Sequence, residues 1–152
     1  MIIGIISDTH GTLQKCAKQA LYGVDRIVHA GDIGSADVIA SLEQIAPVTA
    51  IRGNMDRGQW SQHLPKAEMI AVNGLHFYVI HDLFNLDLDP CAAGVNAVIS
   101  GHTHRAEIKT IQGVLYFNPG SASWPRSGGS LSIGRIEVDS KRLYPEIVEL
   151  DG

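Results

Sequence analysis

Residues 2–10 read Ile2-Ile3-Gly4-Ile5-Ile6-Ser7-Asp8-Thr9-His10. An unbroken apolar run of this length, with one glycine and no polar alternation, marks a strand buried on both faces, as in a covered parallel sheet. It stops abruptly at Asp8 and His10, two side chains able to bind a metal. No basic segment precedes it, so it predicts a first strand and not a leader peptide.

The same rhythm continues along the chain. Leu13, Ala17, Ala20 and Leu21 recur at helical spacing, and Gly23 is placed to end that helix. Residues 24–28 form a second apolar run. Ser35 or Asp37 can cap a helix burying Val38, Ile39, Leu42, Ile45 and Ala46, which Pro47 ends; residues 48–51 form a third strand. This βαβαβ order implies a parallel sheet covered by helices. Later segments pair as hairpins. Asn73-Gly74, between residues 69–72 and 75–80, is a strong type I′ signal. Gln112-Gly113 divides 107–111 from 114–117, and Asp139-Ser140 divides 131–138 from 143–150. Residues 87–94 predict a short helix and 97–99 another buried strand. The expected fold class is α/β: one domain, 1–152, with two packed mixed β-sheets flanked by helices in four layers.

Composition narrows the function. The 152 residues are 45% hydrophobic and 18% charged, ordinary for a globular protein, with a formal net charge of −4. No dense Lys/Arg run exists to hold a nucleic-acid polymer or an anionic membrane, and no apolar stretch is long enough to span a bilayer. Cys16 and Cys91 fit no spaced ligand pattern, so two buried free thiols in a cytoplasmic protein are expected.

The residues at the end of each apolar run carry the chemistry: Asp8-Thr9-His10, then Gly31-Asp32, Gly53-Asn54-Met55-Asp56, His81-Asp82, and Gly101-His102-Thr103-His104. Ligands of open α/β sheets bind beyond the carboxyl ends of strands, so five strand ends would bring these residues to one edge. Carboxylate, amide and imidazole donors suit Mn, Fe, Ni, Co or Zn, and the lack of spaced thiolates excludes a structural Cys zinc site. The spacing of Asp8/His10 and His102/His104 puts each pair on one side if the backbone stays extended. The glycines before Asp32, Asn54 and His102 suit tight turns. There is no GxSxG elbow and no phosphate loop of the GxxxxGK[ST] type, which removes serine hydrolases and Walker-type nucleotide hydrolysis.

With Asn118-Pro119-Gly120-Ser121 and Pro125-Arg126 added, the ordered motifs resemble the calcineurin-like metallophosphoesterase superfamily, closest to its small bacterial and archaeal phosphodiesterases. The resemblance covers nearly the whole chain. It implies that Asp8, His10 and His104 hold one divalent ion, that Asn54, His81 and His102 hold a second, and that Asp32 bridges them. These seven would also be the catalytic set, with Mn the foremost metal and Ni, Co, Fe or Zn alternatives. A hydroxide shared by the ions would attack a small phosphodiester. Many members carry His where this chain has Met55, and the expected His-Gly is His81-Asp82. Arg52, Arg57, Arg105 and Arg126 are candidate phosphate contacts.

Among the remaining polar residues, His29 reads as buried and hydrogen-bonded near the site. Asp56 reads equally as a loop orienter or a cap, Asp82 as structural, and His63 and His76 as incidental. Asn118 to Ser121 should form a turn beneath the site. The alternative to an enzyme is a protein-binding scaffold of the same fold, resembling a retromer subunit; seven competent donor side chains favour the enzyme. An oligomer is compatible with either.

Overall fold

β1 (Ile2–Ile6) lies at the centre of a sheet, parallel to β2 (Arg26–His29) on one side and antiparallel to β9 (Ser132–Asp139) on the other. β3 (Val48–Ala50) and β10 (Arg142–Glu149) complete the order β10-β9-β1-β2-β3. A second five-stranded sheet runs β4-β5-β6-β8-β7, from β4 (Ala67–Val72), β5 (Leu75–Ile80), β6 (Ala97–Ile99), β7 (Ala106–Ile111) and β8 (Val114–Pro119). The computed structural model describes residues 1–124 and 129–151.

The sheets stack face to face. Ile3, Ile5 and Val28 of the first pack against Phe77, Val79, Ile99 and Phe117 of the second. The opposite face of the first sheet, with Ile6 and Ile27, is covered by α1 (Lys15–Ala20) and α2 (Ala36–Glu43) through Ala17, Leu21, Val38 and Leu42. Ile3, Ile5 and Ile6 are fully buried, so the opening run is covered on both faces as predicted. Gly4 lets α1 lie close: a Cβ there would stand 2.6 Å from Leu21 Cδ2. Ser35 caps α2 by accepting the Asp37 N–H at 3.0 Å, which decides between the two predicted caps.

The predicted Asn-Gly hairpin joins β4 to β5, with Asn73 at φ 49° and Gly74 at φ 82°, as type I′ requires. Gln112-Gly113 repeats it between β7 and β8. The last turn falls one residue later than predicted, with Ser140 at φ 55° between β9 and β10.

The outer layer on the second sheet is thin. Residues 87–94 form turns and no regular helix: Ala93 N–H bonds Asp89 O at 2.9 Å, Gly94 N–H bonds Cys91 O at 3.2 Å and Val95 N–H reaches back to Pro90 O at 2.9 Å, three different spacings. A short 3-10 turn, Leu83–Asn85, precedes it. These segments cover Ile80, Val95 and Val98 and leave part of the β7–β8 face open. The thiols are free, but neither is buried: Cys16 is half-buried and Cys91 exposed, correcting the expectation for both. Among the described residues no helix is long and apolar enough to cross a membrane.

Candidate metal centre

The carboxyl ends of β1, β2, β3, β5 and β6 meet at one edge of the sandwich. Two bonds join the sheets there: His102 N–H donates to Asp8 Oδ2 at 3.1 Å, and His81 Nδ1 pairs with the Ala30 carbonyl at 2.7 Å. The backbone is not extended, as the simple alternation required. Asp8, His10, Asp32, His102 and His104 all have positive φ, from 47° to 73°. Left-handed backbone costs an L-residue roughly 1–2 kcal/mol, and five such residues in one site mark a constrained functional region. The bonds that hold it are Asp8 N–H to Gly31 O at 3.0 Å, His10 N–H to Asp32 O at 3.0 Å and Gly11 N–H to Ile33 O at 2.7 Å. Sharp turning after β1, β2 and β6, not strand pleating, aims these side chains inward.

Glycine makes the close approach possible. A Cβ on Gly31 would lie 2.7 Å from His81 Nδ1; one on Gly53 would overlap Asp32, and one on Gly101 would overlap Ser7.

Two groups of donor atoms result: Asp8, His10 and His104, and beside them Asp32, His81 and His102. Each aspartate has one oxygen tied and one presented. Asp8 Oδ2 accepts from Ser7 Oγ at 2.6 Å and His102 N–H at 3.1 Å. Asp8 Oδ1 faces His104 Nε2 at 3.3 Å, His10 Nε2 at 3.8 Å and His81 Nε2 at 3.9 Å. Asp32 Oδ1 accepts from Met55 N–H at 2.8 Å, while Oδ2 faces His81 Nε2 at 3.2 Å and His10 Nε2 at 4.0 Å. Asp32 thus touches both groups.

The imidazoles are oriented the same way. His81 Nδ1–H donates to Ala30 O and His104 Nδ1–H to Trp124 O at 2.6 Å, so each ring turns its Nε2 inward. His10 Nε2 and His104 Nε2 are 3.4 Å apart. Asp8 Oδ1 and His81 Nε2 are buried with no hydrogen-bond partner. Buried polar atoms are nearly always satisfied, so lone pairs converging this way fit a bound cation.

Electrostatics shows the same frustration. Burial raises the Asp8 pKa above the usual carboxylate value, against the opposing pull of Ser7, His81 and His104. For Asp32, burial is outweighed by His81 and the Met55 N–H, and its pKa falls. For His81, burial is outweighed by Asp32 and Asp8, and its pKa rises.

Several supports were undervalued by residue reading. Asp56 is buried and accepts from the backbone of Ile33 at 3.1 Å, Gly34 at 2.9 Å and Gly53 at 2.9 Å, clamping the Asp32 loop to the Asn54 loop. Ser121 and Ser123 hydroxyls donate to Asp8 O at 3.0 and 2.7 Å. Asn118 donates to Gly101 O at 2.9 Å, so the turn beneath the site braces two strand ends. His29 is buried as expected: Nδ1 accepts Gly31 N–H at 3.1 Å, and Nε2 donates to Thr9 Oγ1 at 3.0 Å, which donates on to Ile33 O at 2.7 Å. Burial lowers its pKa to about 3. A signal existed for the serines and Asn118, namely polar residues directly after an apolar strand.

Asn54 is exposed and lines a groove of about 420 Å³ with Arg52, Lys66, His81 and Asp82. Arg57 and Arg105 are exposed, and Arg105 N–H bonds Thr103 Oγ1 at 3.2 Å. Arg126 and Pro125 lie outside the described residues. Asp82 caps the 3-10 turn through Phe84 N–H at 3.0 Å, the structural role expected, and its Oδ2 is 3.6 Å from His102 Nε2. His63 and His76 are exposed.

A two-sheet sandwich with carboxylates and imidazoles converging beyond its strand ends defines a metal-dependent hydrolase of phosphate esters. The chain belongs to the calcineurin-like phosphoesterase superfamily, whose domain matches residues 1–141. It is 32% identical to a probable metallophosphoesterase of Methanothermobacter thermautotrophicus, over 97% of this chain and 92% of that one. An archaeal phosphodiesterase of known structure superposes with a TM-score of 0.80 at 26% identity, covering 97% and 100% of the two chains. Vps29 from Entamoeba histolytica gives 0.79 at 19% identity, covering 99% and 100%, a likeness of fold alone.

Proposed function

We propose that this single-domain chain, residues 1–152, is a cytoplasmic phosphodiesterase acting on small phosphodiesters with two divalent ions. Asp8, His10 and His104 hold one ion, His81, His102 and Asn54 the other, and Asp32 is shared. The observation that carries this reading is the pair of buried, unpartnered donor atoms, Asp8 Oδ1 and His81 Nε2, one in each group. Manganese is our first candidate, and Ni, Co, Fe and Zn are alternatives, since oxygen and imidazole donors accept all of them.

When bound, such ions clamp a phosphoryl group and supply a nucleophile from water near neutral pH. The chain's own residues do the rest. Ser7, Met55 N–H, Ala30 and Trp124 fix the donors' orientation, so little reorganisation accompanies reaction. Arg52 lies in the groove beside Asn54 and His81, placed for a phosphate oxygen; Arg57, Arg105 and Arg126 are weaker candidates. The net charge of −4 favours a small phosphodiester over a nucleic-acid polymer or an anionic membrane surface. The Vps29 likeness is compatible with a scaffold, but the complete donor set favours catalysis.

The test is hydrolysis of a chromogenic phosphodiester by metal-stripped protein resupplied with Mn, Ni, Co, Zn or Mg, beside Asp32→Asn. Activity that needs added ion and is lost in the variant is expected. A folded, metal-loaded protein inert with every ion overturns the enzyme and leaves the scaffold.

A further inference from the structure

A cavity of about 360 Å³ adjoins the metal centre on the open part of the second sheet's outer face. That volume lies toward the small end of the ~300–1,000 Å³ typical of small-molecule pockets. Asp82 and His102 stand at its boundary with the centre, and Phe84, Tyr116, Lys109 and Asn118 line it further out. Lys109 pairs with Tyr116, and Glu107 with Asn118, across the β7–β8 ladder, so these side chains share one face.

Phe84 is the unusual feature. It is 97% exposed. Its position is built: Asp82 accepts the Phe84 N–H at 3.0 Å, and Asn85 N–H and Leu86 N–H bond Asp82 O and Leu83 O, each at 3.0 Å. A large apolar side chain held in water on a pinned turn, at the lip of a cavity, is a ready contact surface.

A second observation concerns protons. Four of the seven histidines belong to the metal groups, His29 has both ring nitrogens engaged in a sealed interior, and His63 and His76 are exposed and line neither this cavity nor the groove beside Asn54. Met55, after Asn54, has no proton to give. No spare imidazole is therefore set to protonate a leaving oxygen. An aryl oxide, the conjugate base of a phenol with pKa ~10, leaves without that help far more readily than an alkoxide.

We propose that the cavity is the subsite for an aromatic ring bonded directly to an ester oxygen of the substrate, with Phe84 as its stacking surface and specificity determinant. This rests on the phosphoester reading above. The aryl arm occupies the cavity while its phosphoryl group sits at the metal centre, and the open mouth lets the aryl oxide depart into water, which protonates it.

The experiment is calorimetric binding of two non-hydrolysable ligands, benzylphosphonate, whose CH2 replaces the ester oxygen, and ethylphosphonate, to the metal-loaded protein, to Phe84→Ala and to Phe84→Trp. A ring stacked on Phe84 should make benzylphosphonate bind about tenfold tighter than ethylphosphonate. Phe84→Ala should shrink that ratio to about twofold, chiefly by weakening benzylphosphonate, and Phe84→Trp should restore it. Equal affinities in the wild type, or a ratio untouched by Phe84→Ala, overturns the aryl subsite while leaving the phosphoester reading intact. If neither phosphonate binds, the phosphoester reading falls and the subsite with it.

Discussion

His81 Nε2 stands 3.2 Å from Asp32 Oδ2, while its Nδ1 is already committed to the Ala30 carbonyl at 2.7 Å. A lone pair facing a carboxylate at this distance is stable only with a proton or a cation between them. Without metal, the His81 pKa is raised above 6.5 by Asp32 and Asp8 against burial. That group stabilises the metal-free protein fully below about 6.5, and the contribution disappears as pH rises through the folded pKa. A divalent ion displaces the proton, so metal affinity should increase with pH over the same window. Thermal unfolding with chelator and with Mn across that range is the check: the two curves should diverge as pH rises.

Metal loading should itself stabilise the fold. At a free concentration a hundredfold above Kd the gain is about 2.7 kcal/mol. Differential scanning fluorimetry should show the melting temperature rising with added Mn in the wild type, with most of the rise lost in Asp8→Asn.

The His29 network sets a separate acid sensitivity. Its folded pKa is about 3 against an ordinary 6.5, so the unfolded chain binds a proton that the native state refuses. The contribution of this group to stability is whole above about 6.5 and falls with decreasing pH toward about 3. Urea unfolding of metal-free wild type and His29→Gln should give a visibly flatter pH slope for the variant; equal slopes would remove His29 from the account.

Asp56 joins the loops that carry Asp32 and Asn54 through three backbone N–H groups. Asp56→Ala orphans all three and should cost about 3 kcal/mol. Metal affinity should also fall by about tenfold, since the donors lose their support. Chemical denaturation and metal titration measure the two effects independently.

Glycine substitutions should separate local strain from site damage. Gly53→Ala drives a Cβ into Asp32 and should weaken metal binding about tenfold or more. Gly113 has φ 78° but nothing within 4 Å of an added Cβ, so Gly113→Ala should cost about 1 kcal/mol of stability and leave metal affinity unchanged. Calorimetric titration with Mn distinguishes them.

Most of the fold was legible because local signals agreed. The Ile2–Ile6 run, Ser35 and the Asn73-Gly74 turn each behaved as their chemistry requires. The helix expected over residues 87–94 failed because the segment closes with three hydrogen bonds of different spacing before a repeating helical ladder can form. The buried setting expected of Cys91 failed because the thin outer layer leaves it uncovered.

The sequence by itself determined which residues would gather at one edge, because each lies just beyond an apolar strand and parallel strands end together. It could not reveal how they point. The left-handed backbone at Asp8, His10, Asp32, His102 and His104 replaced the expected extended alternation, and no local preference of Asp or His demands it. Only tertiary structure imposes that conformation. The turns are held by partners up to 115 residues away, such as Ser123 on the Asp8 carbonyl. Asp and His tolerate the left-handed region better than most side chains, but hydrogen bonds to distant partners are what hold these five there.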